Sequence, residues 1–156
     1  MKYSRFEEVP VWQDAADLAA AIFEMTDNRK FDGKGDVANQ IQRAGLSVSN
    51  NITEGFERGT TQELITFLYY ARGSAGEVRS ILAVINRMRA FEDLQSQISN
   101  LKAKAESISR QIRGWTDSLQ NSDIKGQRYL NEKSRGAYTQ NKQTDELLKS
   151  IKKICR

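Results

Sequence analysis

Apolar residues return every three or four positions along most of the chain, the signature of helices with one buried face. After Pro10, the residues Val11, Ala15, Leu18, Ile22 and Met25 form one row, and Trp12, Ala16, Ala19 and Phe23 form a second beside it. Two adjacent rows predict a helix buried on more than one side. It starts at Pro10, in the first turn where proline is tolerated, and ends near Asp27-Asn28. A charged, glycine-containing loop follows, Arg29 to Gly35. Asp36 is the expected N-cap of a second helix, with Val37, Ile41, Ala44, Val48 and Ile52 as its apolar stripe. Gly55 is expected to end it in a left-handed turn. Thr60 or Thr61 caps a third helix, Thr60 with Glu63 fitting a capping box. Its stripe runs through Leu64, Phe67 or Leu68, Ala71, Ala75, Val78, Leu82 and Ile85. From Asp93 the alternation is cleanest: Leu94, Ile98, Leu101, Ala105, Ile108, Ile112, Trp115 and Leu119 make an a/d heptad over roughly 39 Å at about 1.5 Å per residue. Gly114 is its weak point.

Four long amphipathic helices with short joints predict an all-α fold, an antiparallel up-down-up-down four-helix bundle over residues 1–120. The alternative is a three-helix bundle with a separate coiled-coil helix. Residues 121–156 differ in composition and form a basic C-terminal extension, with a short terminal helix expected from Asp145.

Charge sharpens that division. The chain carries 24 Lys/Arg and 20 Asp/Glu, net +4. Residues 1–120 hold 15 basic and 16 acidic side chains, net −1; residues 121–156 hold 9 and 4, net +5. There is no histidine, which excludes Ser-His and Cys-His nucleophile pairs, His-containing zinc sites and Glu-x-x-His di-iron sites. The lone cysteine, Cys155, allows no intrachain disulfide. No apolar run approaches the roughly 20 residues of a membrane helix, and the N-terminus lacks a signal-peptide core, so a cytoplasmic protein is expected, with no membrane partner.

Three features invite functional readings. A polar stripe on the second helix, Gln40, Arg43, Ser47, Asn50 or Asn51, and Glu54, could converge with Arg58 and Glu77. It would act as a charge-paired network fixing helix register within or between subunits, as a ligand or nucleic-acid contact, or, least favoured, as a catalytic site. Its carboxylate separations match no metal-ligand motif, and no cofactor is expected. Gly73, Ser74, Ala75 and Gly76 leave a smooth surface, either for a tight crossing inside the bundle or for close packing between subunits. Arg72 and Arg79, seven apart, share a helix face, with Arg87 and Arg89 following near the helix end; Lys102, Lys104, Arg110 and Arg113 lie on the fourth helix, and either set reads first as solvated surface. In the tail, Lys125, Arg128, Lys133, Arg135 and Lys142 are interspersed with Tyr129 and Tyr138, a pattern suited to phosphate attraction and base stacking.

The runs VWQDA, QIQRAGLSVSNNITEGFERG and FLYYARGSAGEVRS resemble the four-helix-bundle proteins encoded in 23S ribosomal RNA intervening sequences. The resemblance spans roughly residues 3–119. Its motif positions fall on Trp12 and Gln13; on Gln40, Arg43, Ser47, Asn51, Glu54, Gly55 and Arg58; and on Ala71, Gly73, Ser74 and Glu77. Gly45 and Thr53 are mild departures. The resemblance implies a bundle assembling into a homopentamer. It also implies kinship with the accessory variability determinant proteins of bacterial diversity-generating retroelements, which bind nucleic acid and a reverse transcriptase. Two functions are therefore expected in competition: a non-enzymatic oligomeric accessory that binds RNA or DNA with weak sequence specificity, or a protein-interaction scaffold with no nucleic-acid role. An enzyme ranks a distant third, testable by a metal-dependent activity lost on Glu54→Ala or Glu77→Ala.

Overall fold

The computed structural model describes residues 3–121 and Thr144. Four helices carry the fold: α1 (Pro10–Thr26), α2 (Gly35–Glu57), α3 (Thr61–Ile85) and α4 (Gln95–Gln120). Short 3-10 turns at Phe6–Glu8, Arg29–Phe31 and Arg89–Leu94 precede or join them. The described residues form an all-α four-helix bundle without a β-strand. The expected terminal helix lies outside the described residues.

Side-chain pairs between neighbouring helices set the direction of each. Trp12 donates to Thr53 at 2.8 Å and Gln42 to Thr26 at 2.7 Å, so the start of α1 meets the end of α2 and the reverse. Ser74 and Ser47 bond across α2 and α3 at 3.0 Å. Gln120, at the end of α4, donates to Tyr69 near the start of α3 at 2.8 Å. Gln111 donates to Asp14 at 2.7 Å, closing α4 onto α1. Every neighbouring pair is antiparallel and α4 packs on both α1 and α3, which excludes the detached fourth helix.

The core is built from the rows read in the sequence. Leu18, Ile22, Ile41, Val48, Ile52, Leu64, Leu68, Ala75, Val78, Leu82, Ile108 and Ile112 are wholly buried. Phe23, on the second row of α1, is the departure: it is exposed. The N-terminal arm folds back on its own bundle, Phe6 meeting Trp12 edge-on with ring centroids 5.0 Å apart.

Three boundary readings are corrected. Helix α2 begins at Gly35, not after an Asp36 cap; Asp36 lies in its first turn, where a carboxylate complements the helix dipole. Helix α4 begins at Gln95, because Arg89–Leu94 takes a tighter 3-10 path with Phe91 non-helical at φ −113°, ψ 16°. That path buries Phe91 against Phe31, centroids 4.8 Å apart. Gly55 does not end α2. It is buried inside the helix, and the left-handed residue is Gly59, at φ 75°. The Thr60 cap holds as expected: its hydroxyl accepts from the Glu63 amide at 3.2 Å and donates to the Glu63 carboxylate at 2.7 Å.

The glycines divide by what surrounds them. A Cβ on Gly55 would lie 2.7 Å from Phe67 Cβ and 3.3 Å from Leu64 Cα; one on Gly45 would lie 2.8 Å from Ile22 Cδ1. These are the tight helix crossings of the bundle. A Cβ on Gly73 or Gly76 would meet nothing within 4 Å, so the reading of these two glycines as an internal crossing is overturned, although Ala75 is buried in the core and Ser74 reaches α2. The physical reason is its angle on α3: the core row is Ala71, Ala75, Val78 and Leu82, and at roughly 100° per residue Gly73 points away from it.

Candidate functional site

Helix α3 is a ridge with a cleft on either side. Turning through roughly 100° per residue, Ser74 and Glu77 lean toward α2, while Arg72, Gly76 and Arg79 lean toward α4. Gly73 lies between, with Tyr70 beside it at 57% exposure.

The α2–α3 cleft encloses about 360 Å³ and is lined by Gln40, Arg43, Ala44, Ser47 and Glu77. Its floor is tied down by serines and an amide. Asn51 donates to the Ser47 carbonyl at 2.7 Å and to its hydroxyl at 3.0 Å, and Ser74 bonds Ser47 and the Tyr70 carbonyl. Arg43 and Glu77 are exposed. Among the described residues neither forms an ion pair, with the other or with any further residue.

The far end of the polar stripe separates from this cleft. Arg58 bonds Glu54 at 2.7 Å, approaches Glu63 at 3.6 Å and lies over the Phe67 ring at 5.1 Å. The hydrogen bond to Glu54 raises the Arg58 pKa above its ordinary value. Arg58 is thus held at the α2–α3 corner, beside the Gly55 crossing. The structure brings together Gln40, Arg43, Ser47, Asn51, Ser74 and Glu77, and leaves Glu54 and Arg58 apart. Trp12 serves the α1–α2 contact.

The α3–α4 groove encloses about 210 Å³ and is lined by Arg72, Gly76, Arg79, Glu106, Ser109, Arg110 and Arg113. Four guanidinium groups face one carboxylate. Arg110 pairs with Glu106 at 3.1 Å and Arg113 approaches Asp117 at 3.8 Å, both i,i+4 pairs at exposed positions. Such pairs contribute only about 0.3–0.5 kcal/mol and leave the arginines available. Arg72 and Arg79 have no ion-pair partner among the described residues. Lys104 turns the other way, to Asp17 at 3.5 Å, and Arg87 caps the Ala83 carbonyl at 2.6 Å. Sequence spacing aligns Arg72 with Arg79 and Arg110 with Arg113; it cannot show that antiparallel α3 and α4 set the two pairs face to face. It also gave no sign of Ser109, which lines the groove as a buried polar residue.

Lys125, Arg128, Lys133, Arg135 and Lys142 lie outside the described residues. Among the described residues no group of three or more His, Cys, Asp or Glu side chains is placed to hold a metal ion. No helix among them is long and apolar enough to cross a membrane.

Residues 7–114 match the family model described as 23S rRNA-intervening sequence protein. The bundle is similar to the crystal structure of a protein of unknown function from the S23 ribosomal protein family of Bacteroides thetaiotaomicron. The two share 18% identity with a TM-score of 0.61, over 68% of this chain and 97% of that one. No curated protein matches the chain.

Proposed function

Starting from the fact that this chain belongs to the 23S rRNA-intervening sequence protein family, we propose that it is a non-enzymatic, homo-oligomeric accessory protein of the cytoplasm that binds nucleic acid. The observation that carries this reading is the α3–α4 groove, where Arg72, Arg79, Arg110 and Arg113 face a single carboxylate, Glu106. A bundle whose first 120 residues sum to −1 has no general attraction for polyanions, so a local cluster of guanidinium groups has to supply it. Contacts made to phosphates carry little sequence information, in keeping with weak specificity. The basic tail, through Lys125, Arg128, Lys133, Arg135 and Lys142, adds a second contact in this proposal.

Assembly belongs to the same proposal. The open ridge at Gly73, the exposed Tyr70 and the unpaired Arg43 and Glu77 support self-association through the α2–α3 face, where a neighbouring subunit supplies the missing partners. A pentameric count and a reverse-transcriptase partner are carried by the resemblance to accessory variability determinant proteins. The non-enzymatic reading is supported by Glu54, whose carboxylate is already engaged by Arg58 at 2.7 Å.

The test is binding of a mixed pool of single-stranded RNA and DNA, followed by fluorescence anisotropy across a salt series. The double variant Arg72→Ala/Arg79→Ala is expected to bind more weakly and to flatten the slope of log K against log salt by roughly 1.4 units, about 0.7 for each single-strand phosphate that the variant no longer neutralises. Unchanged affinity and slope would remove the groove from the binding surface.

A further inference from the structure

Ser109 stands out inside the arginine groove. The residue keeps 9% of its accessible surface, and its Oγ is the one buried side-chain polar atom without a hydrogen-bond partner among the described residues. Three other buried hydroxyls in the bundle are satisfied by their own helices. Thr26 donates to the Ile22 carbonyl at 3.0 Å, Ser49 to the Leu46 carbonyl at 3.1 Å and Thr116 to the Arg113 carbonyl at 2.8 Å. A buried hydroxyl left unbonded is destabilising and therefore rare. It is tolerable where a ligand completes it.

We infer that the α3–α4 groove is a seat for a single phosphate group, with the Ser109 hydroxyl donating to a phosphate oxygen from the groove floor and Arg72 and Arg79 closing on it from α3. Arg110 and Arg113 supply the α4 wall, and guanidinium groups match phosphate through paired N–H donors. Glu106 is the one repulsive group in the lining, and its pairing with Arg110 at 3.1 Å offsets it. Gly76 keeps the α3 wall open, since a Cβ there would meet nothing within 4 Å. The arginine side chains are long and rotamer-rich, so they can swing away from the floor to admit the ligand and close over it. This seat deepens the nucleic-acid reading and rests on it for the identity of the ligand, a backbone phosphodiester rather than a free phosphate.

The experiment titrates the full chain and its Ser109→Ala variant with two probes, inorganic phosphate and the single-stranded oligonucleotide pool, at constant ionic strength. Phosphate binding is read by amide shifts and by the melting temperature. Ser109→Ala is expected to lower affinity for both probes by roughly tenfold, the effect of removing one charge-assisted hydrogen bond, while its unliganded melting temperature is no lower than the parent's. Equal affinity of parent and variant for both probes overturns the seat, yet leaves nucleic-acid binding intact if the oligonucleotide still responds to Arg72→Ala/Arg79→Ala. Serine-dependent phosphate binding without any oligonucleotide binding supports the seat, reassigns its ligand to a small phosphate monoester and overturns the nucleic-acid reading.

Discussion

A missing side chain does different things at different glycines. At Gly55 the absent Cβ is what lets α3 approach, because Phe67 Cβ and Leu64 Cα occupy its space. Both obstacles lie at or near backbone and cannot rotate away, so Gly55→Ala is expected to destabilise by about 1–3 kcal/mol, the usual range for overpacking. Gly45→Ala is expected to do less, since its nearest neighbour is the flexible end of Ile22. Gly114 has nothing within 4 Å of a Cβ. Gly114→Ala should therefore stabilise by about 0.5–1 kcal/mol through helix propensity alone. Urea denaturation of the three variants checks the order. An equal destabilisation at Gly55 and Gly114 would contradict the geometry.

The elements are joined by devices that differ in strength. The α2–α3 corner combines a left-handed Gly59, the Thr60 cap and the Arg58 bridge to Glu54 and Glu63. The two longer connections, between α1 and α2 and between α3 and α4, are clasped together instead. Phe31 packs on Phe91, Lys34 lies 5.6 Å from the centre of the Phe91 ring, and Lys30 pairs with Asp93 at 2.8 Å. The hydrogen bond from Lys30 holds the Asp93 carboxyl below its ordinary 3.8. A carboxylate whose folded pKa is depressed contributes stability above its unfolded value and loses it as pH falls through the folded one. The stability difference between the parent and Asp93→Asn is therefore expected to be small and constant from neutral pH down to about pH 5, then to be lost as the pH falls below the ordinary carboxylate range and through the lowered folded pKa. Chemical denaturation at a series of pH values reads it. A difference that persists in acid would mean that Asp93 acts through packing rather than charge.

At the scale of the whole molecule, α3 presents opposite chemistry to its two neighbours, a neutral hydrogen-bonded cleft with Arg43 and Glu77 toward α2 and a cationic groove toward α4. The proposed assembly uses the first and the proposed nucleic-acid contact the second, so the two should be separable by mutation. Gly73→Leu, on the open ridge between them, is expected to disperse the oligomer while leaving helix content unchanged. Light scattering after size exclusion, with circular dichroism alongside, reads both. An oligomer that survives Gly73→Leu would take the ridge out of the interface. A monomeric parent would overturn assembly itself.

Periodicity alone was enough for the number of helices and most of their buried faces, because a 3.6-residue repeat of apolar side chains has few ways to be buried; that the fourth helix joins the bundle was decided by its packing on α1 and α3. Thr60 was legible as a cap for the same local reason, a short-range hydrogen bond between near neighbours in sequence. The polar stripe was legible as a stripe. Arg58 and Glu54 pair four residues apart at the end of α2, a local contact, whereas Arg43 and Glu77 lie on different helices and do not pair, an outcome set by the distance between α2 and α3. The roles of the glycines were misread where they depended on a neighbour. Gly55 resembles a helix terminator until α3 is packed against it, and Gly73 resembles a crossing point until the core row of α3 turns it outward. Ser109 and the facing arginine pairs became visible only once α3 and α4 were laid antiparallel. A helix repeat records which face is buried, whereas the register between two helices is set by the packing of their side chains and leaves no short-range mark in either one.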